Sequence, residues 1–199
     1  MGISKAMLPF GPERLLNRVI RLLEAVVAPV AVVGSPDQDL SYLPERVIVA
    51  RDHVKDRGPL QALHAGLTAV QGHTEAAYVM GCDTPFLVEG FVRRMITLLG
   101  NHEIVVPKEG RFFHPLAAVY RTSVLPHIEA LLDANRMKPV LLFNQTDTRE
   151  VAIDELRDVD PELMSLENLN TPAEYLKALR RSGFEAPAEI LERLKKPRP

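Results

Sequence analysis

The chain has 199 residues, a length that fits one domain with a substantial core. Its 24 Lys and Arg against 26 Asp and Glu give a formal net charge of −2, which excludes a global field drawing it to nucleic acid or anionic lipid. The single cysteine, Cys82, excludes an internal disulfide and suits a reducing cytoplasm, and no apolar run approaches the ~20 residues of a membrane-spanning helix.

The first periodic segment is "PERLLNRVIRLLEAVV". Leu15, Leu16, Val19, Leu22, Leu23 and Val26 follow helical spacing, and Pro12 is expected in the first turn. "PVAVVGS" and "RVIVA" are short β-branched runs that read as buried strands. "GPLQALHAGLTAVQ" reads as a helix with Pro59 near its start. "AAYVMG" predicts a strand, followed by "CDTPF" and an amphipathic helix over residues 88–99. "EIVVP" and "FFHPLAAVY" predict two more strands, "TSVLPHIEALLDA" a helix and "REVAIDEL" a late strand. "NTPAEYLKALRRSG" closes the pattern as a helix, with Thr171 as N-cap, Pro172 at its first position and Gly183 past its end.

Alternating strands and helices with short connections predict an α/β fold, a three-layer, Rossmann-like, mostly parallel sheet with helices on both faces. Residues 1–183 are expected to form a single domain, and residues 184–199 a charged tail. In such sheets ligands lie outside the carboxyl ends of the strands, where Gly34–Ser35, Asp52 and "GCDTPF" all fall.

Asp83, at the end of a buried strand, suits a Mg2+ ion completed by waters and substrate phosphates, or else caps the next helix. Asp52 follows a strand and precedes a helix start that would favour a phosphate or a base carbonyl; a plain loop aspartate is the alternative, and Asp56 competes for any role given to it. Lys5, in an apolar setting, offers a point charge for phosphoryl transfer. Arg111 and His114 flank the start of "FFHPLAAVY", where a second-substrate contact and a structural histidine are both open. Cys82 has no histidine at an obvious pairing position and reads as an inert thiol, and the six histidines show no zinc spacing.

The strings "MGISKAMLPFG", "DRGPLQALHAGL", "GCDTPF", "HPLAAVYR", "LRDVDP" and "SLENLNTPAEYLKAL", in that order, resemble the molybdenum cofactor guanylyltransferases of the sugar-nucleotidyltransferase-like class, from Met1 to about Leu179. The resemblance implies transfer of GMP from GTP to molybdopterin-bound molybdenum, with Mg2+ on Asp83, Lys5 on the phosphates and Asp52 toward the nucleotide. It implies a pterin side formed by Arg111, His114, Asn168 and Asn170, and it implies as partners molybdoenzymes or other cofactor-biosynthesis proteins. The family's glycine-rich phosphate loop resembles "LAGGxSxRMGxDKA", so "MG" falls inside it and Ser4 stands where Asp is frequent. A first strand and double glycine are therefore expected ahead of Met1, roughly a dozen to twenty residues. Ala62 and Gly34 depart from the family pattern on the nucleotide side. The alternatives are a cytidylyltransferase acting on the same pterin and, if the chain truly starts at Met1, a non-catalytic remnant.

Overall fold

Helix and strand boundaries come from a computed structural model that describes residues 4–52 and 58–195. Met1–Ile3 and Asp56 lie outside the described residues. The chain opens with a 3-10 turn, Lys5–Met7, and a small hairpin of β1 (Pro9–Phe10) and β2 (Glu13–Arg14). Pro12 thus sits in a hairpin turn and not in a helix, because Gly11 at φ 66° reverses the chain before the helical pattern begins. α1 (Leu15–Glu24) follows, then β3 (Ala31–Gly34), β4 (Ile48–Arg51) and α2 (Pro59–Val70). β3 and β4 pair in parallel, with Val32 opposite Val49.

The second half supplies β5 (Ala76–Met80), α3 (Glu89–Leu99), β6 (Ile104–Glu109), β7 (Phe112–Phe113) and β8 (Ala117–Arg121). It ends with α4 (Leu125–Asp133), α5 (Val140–Phe143), β9 (Thr148–Ala152), α6 (Pro172–Arg181) and α7 (Ala188–Lys195). The strand order is β5-β8-β6, with β7 and β9 also on β6. The α/β class and the helices on both faces are present. Mostly parallel pairing is not what the described ladders show: β3–β4 and β6–β9 are parallel, the other four pairs antiparallel. The cause is local. Gly110, at φ 56°, turns β6 straight back on itself, and a tight turn can join only antiparallel strands. The returning arm then inserts reversed between β6 and β5, so both of its ladders are antiparallel. The arm is also broken at His114–Leu116, where Pro115 cannot donate to a ladder.

Two clusters sandwich this sheet. Leu60, Leu63, Leu67, Leu125, Ile128 and Leu131 of α2 and α4 cover one face through Ile104, Val106, Ala118 and Tyr120. Phe91, Met95 and Leu99 of α3 cover the other through Val105, Ala117 and Val119. The alternation of strand residues between faces is the period-two consequence of the pleat. A third cluster joins the ends of the chain: Leu8, Phe10 and Leu15 pack with Tyr175, Leu179 and Ile190. Residues 184–195, expected as a charged tail, contribute Phe184, Ala186, Ile190 and Leu194 to that cluster; the alternation of apolar and charged residues in α7 buries one face.

No ladder joins β3 to β5 among the described residues. Between them lies an apolar cavity of about 600 Å3.

Candidate functional site

Three distant segments converge at the carboxyl end of β5. The Lys5 ammonium donates to Asp83 Oδ2 at 2.6 Å and to Asn170 Oδ1 at 2.8 Å. Lys5 is held by the 3-10 turn, in which the Leu8 amide donates to the Lys5 carbonyl. Asp83 leaves β5 in a turn closed by the Thr84 hydroxyl, which donates to the Gly81 carbonyl at 2.8 Å. Asn170 precedes α6, where Thr171 and Glu174 form a capping box and Glu174 also accepts from the Asn170 amide at 2.7 Å. The two loops are tied directly, the Leu169 amide donating to the Asp83 carbonyl at 2.9 Å.

The Lys5 and Asp83 side chains retain 30% and 17% of their exposure, so the pair is open enough for a ligand to reach it. A lysine ammonium has three donors, of which Asp83 and Asn170 take two. Gly81 leaves room over the other oxygen of Asp83: a Cβ built there would fall 2.5 Å from Oδ1. Gly81→Ala is therefore expected to swing the Asp83 carboxylate off Lys5, lowering turnover about 100-fold with little change in melting temperature. Steady-state kinetics beside a thermal melt checks this.

Burial and the neighbouring Asp83 push the Cys82 thiol up to about 11, so it stays protonated at neutral pH and is no nucleophile. Asp52 lies at the carboxyl end of β4, its amide donating to the Gly34 carbonyl at 2.9 Å. Arg111 sits in the turn between β6 and β7, its guanidinium 5.1 Å from the ring centroid of exposed Phe112. His114 and Asn168 line a second, smaller pocket of about 160 Å3, shared with Ser165. So Asn170 belongs with Lys5 and Asp83, whereas His114 and Asn168 form a separate group.

His114 Nε2 is buried without a hydrogen-bond partner, 3.9 Å from Glu109 Oε2. Burial holds its pKa below the ordinary value, with Glu109 opposing. The folded protein therefore binds this proton less readily than the unfolded chain. The associated stability is whole above the unfolded histidine's pKa of about 6.5 and declines as pH falls through the folded value. His114→Gln is expected to flatten that decline, measured as the urea midpoint between pH 7 and pH 5.

Sequence reading missed Gly81 and Glu174 as positioning residues. The Thr171…Glu174 spacing carries a signal for the second, whereas the first opens the "GCDTPF" string, which marks the place but not the close approach of Gly81 to the Asp83 carboxylate. Asp160 of "LRDVDP" turns out to organise a loop: buried, it accepts from the amides of Met164 and Ser165 at 2.9 and 2.8 Å.

The model of one family, the MobA-like NTP transferase domain, matches residues 1–151. The chain belongs to that family. It is 34% identical over 178 residues to the molybdenum cofactor guanylyltransferase of Desulfosudis oleivorans, covering 89% of this chain and 86% of that one. It is 30% identical to a probable molybdenum cofactor guanylyltransferase of Pelotomaculum thermopropionicum, over 89% and 85% of the two chains. Its fold matches molybdopterin-guanine dinucleotide biosynthesis protein A from Archaeoglobus fulgidus, with TM-score 0.77, 20% identity and 92% of each chain covered. The same fold recurs in 2-C-methyl-D-erythritol 4-phosphate cytidylyltransferase from Thermus thermophilus, with TM-score 0.64 at 14% identity over 92% of this chain and all (100%) of that one.

Among the described residues no helix is long and apolar enough to cross a membrane, and no three His, Cys, Asp or Glu side chains gather as a metal cluster.

Proposed function

We propose that this protein transfers GMP from GTP to molybdopterin-bound molybdenum, releasing pyrophosphate. The observation that carries this is the meeting of Lys5, Asp83 and Asn170 at a strand end, in a chain 34% identical to a molybdenum cofactor guanylyltransferase.

The terminal phosphate of the pterin attacks the α-phosphorus of GTP; a P–O bond forms to the pterin phosphate, and the bond to the β-phosphate breaks. No protein nucleophile is needed, so the residues act by positioning and by balancing charge. Lys5 directs its third donor at the phosphates and offsets the negative charge that builds on the leaving pyrophosphate. Asn170 and Asp83 keep the ammonium in place before substrate arrives. Asp52, at the end of β4, faces the nucleotide.

Asp83 would hold Mg2+, which would supply further neutralisation of the phosphates. The fit is a single carboxylate with one oxygen over the bare Gly81 backbone, suited to an ion that keeps most of its ligands as water and phosphate oxygens. The pterin side comprises Asn170 together with Arg111 and the smaller pocket of His114 and Asn168. The setting is the cytoplasm, and the product passes to molybdoenzymes or other proteins of cofactor biosynthesis.

The test is incubation with molybdenum cofactor, Mg2+ and either GTP or CTP, measuring pyrophosphate and the dinucleotide product. Product from GTP in preference to CTP is expected. Product from CTP alone moves the chain to the cytidylyl reaction, and none from either overturns nucleotidyl transfer.

A further inference from the structure

Arg18 of α1 touches both segments that supply Lys5 and Asp83 to the polar site. Its Nε donates to the Pro85 carbonyl at 2.8 Å, two residues beyond Asp83. Its guanidinium lies over the Phe10 ring, 4.8 Å from the centroid, with Nη1 3.7 Å from Glu13 Oε1. Phe10 and Glu13 pair with each other across the β1–β2 hairpin that follows Lys5.

These contacts close a circuit. The Leu8 amide donates to the Lys5 carbonyl at 3.1 Å, and the Leu8 carbonyl accepts from the Leu15 amide at 2.8 Å, where α1 begins. Arg18 follows within the first turn of that helix and reaches Pro85; the chain then leads back to Asp83 and its 2.6 Å bond with Lys5. An aromatic cluster braces the same junction. The Phe10 ring meets Phe86 and Phe184 edge-on at 6.0 Å each, and the Arg181 guanidinium lies 5.5 Å from the Phe86 centroid. The segment carrying Asp83 draws on this outside support: the Leu169 amide answers the Asp83 carbonyl and Arg18 the Pro85 carbonyl, while Pro85 has no amide of its own to offer. Packing alone does not call for a guanidinium, since a methionine fills irregular space beside a ring. Burial lowers the Arg18 pKa, with Arg21 acting in the same direction and Glu13 opposing. The cation thus gives up hydration at a place where its shorter polar contact is a backbone carbonyl, 2.8 Å against 3.7 Å to the carboxylate.

We propose that Arg18 is a positioning residue, which holds the Asp83 segment in register with Lys5 by way of the Pro85 carbonyl. Its purpose rests on the transferase reading. When the phosphates of a bound nucleotide draw on the Lys5 ammonium, the direct Lys5–Asp83 bond weakens. The second tether through Arg18 then keeps the two side chains at their separation, so the site does not reorganise as charge develops.

The test compares Arg18→Met, which keeps an unbranched side chain over Phe10 but has no donor, with Arg18→Lys, which keeps a donor. The first readout uses no substrate: residue-resolved hydrogen exchange of the Leu169 amide, whose acceptor is the Asp83 carbonyl. In Arg18→Met this amide is expected to exchange about 10- to 100-fold faster, the loss of one hydrogen bond to a charged group, while the amides of the β5–β8 ladder keep their rates. Arg18→Lys is expected to recover part of the protection, because an ammonium donates but does not lie flat on the ring. The second readout is turnover of GTP with molybdenum cofactor. In Arg18→Met kcat is expected to fall about 100-fold, with KM for GTP within about 2-fold of the parent. Equal acceleration across the ladder would mark a general loss of stability, and an unchanged Leu169 rate, or Arg18→Lys no better than Arg18→Met, would remove the carbonyl tether. A raised KM with kcat kept would make Arg18 a substrate contact, and unchanged kinetics would leave the tether without a role in turnover. Each of these overturns the proposal. No turnover in the parent, with Leu169 responding as expected, instead overturns the transferase reading and leaves the tether standing.

Discussion

Lys5→Ala is expected to lower turnover about 100- to 1,000-fold, the cost of removing one preorganised donor from a developing oxyanion. The ammonium is fixed by two acceptors, 2.6 and 2.8 Å away, so its position is set before substrate binds and little reorganisation is needed during the reaction. The effect should fall on kcat more than on KM, because the charge Lys5 meets grows in the transition state. Lys5→Arg should restore little: a planar fork does not reproduce a compact ammonium placed between Asp83 and Asn170. An effect confined to affinity for the pterin would remove Lys5 from the triphosphate.

Asp83→Asn is expected to reduce Mg2+-dependent turnover to background. The substitution preserves shape and still offers an oxygen to Lys5, so the fold should melt within a few degrees of the parent. What it removes is the negative charge. A neutral amide binds a hard divalent cation poorly, and the Lys5 ammonium is then left without its counter-charge. Kinetics across a Mg2+ titration distinguishes the two consequences. A raised Mg2+ midpoint with partial recovery at high metal marks a ligand, whereas a flat, uniformly low response marks a charge partner of Lys5 only. Near-parental activity would take Asp83 out of the mechanism.

Tyr175 and Asn170 illustrate how differently neighbouring residues can be read. Helix α6, with its Thr171 cap and Pro172 start, is legible because a cap, a proline and a 3.6-residue apolar stripe are local signals. That Asn170, just before the cap, reaches Lys5 across 165 positions of sequence is not local, and no spacing rule contains it. The break at His114–Leu116 coincides with Pro115, a local signal that the apolar run "FFHPLAAVY" overrides when the segment is taken as one strand. The reversed path of that strand depended on Gly110, a turn signal whose consequence for sheet order appears only when β8 chooses its neighbours.

The sequence by itself determined the alternation of strands and helices, the burial of their apolar faces, the inertness of Cys82 and the strand-end position of Asp83 and Asp52. Each of these follows from a periodicity or a neighbour within a few residues. Only the tertiary structure decided that Lys5, Asp83 and Asn170 form one hydrogen-bonded group while His114 and Asn168 form another. It also decided that one reversed strand sits between β5 and β6, that Ile190 near the chain's end packs beside Leu8, and that β3 and β5 face each other across an apolar slot. These outcomes depend on which strand edges and helix faces find one another, a long-range choice governed by total burial and backbone pairing and encoded in no single stretch.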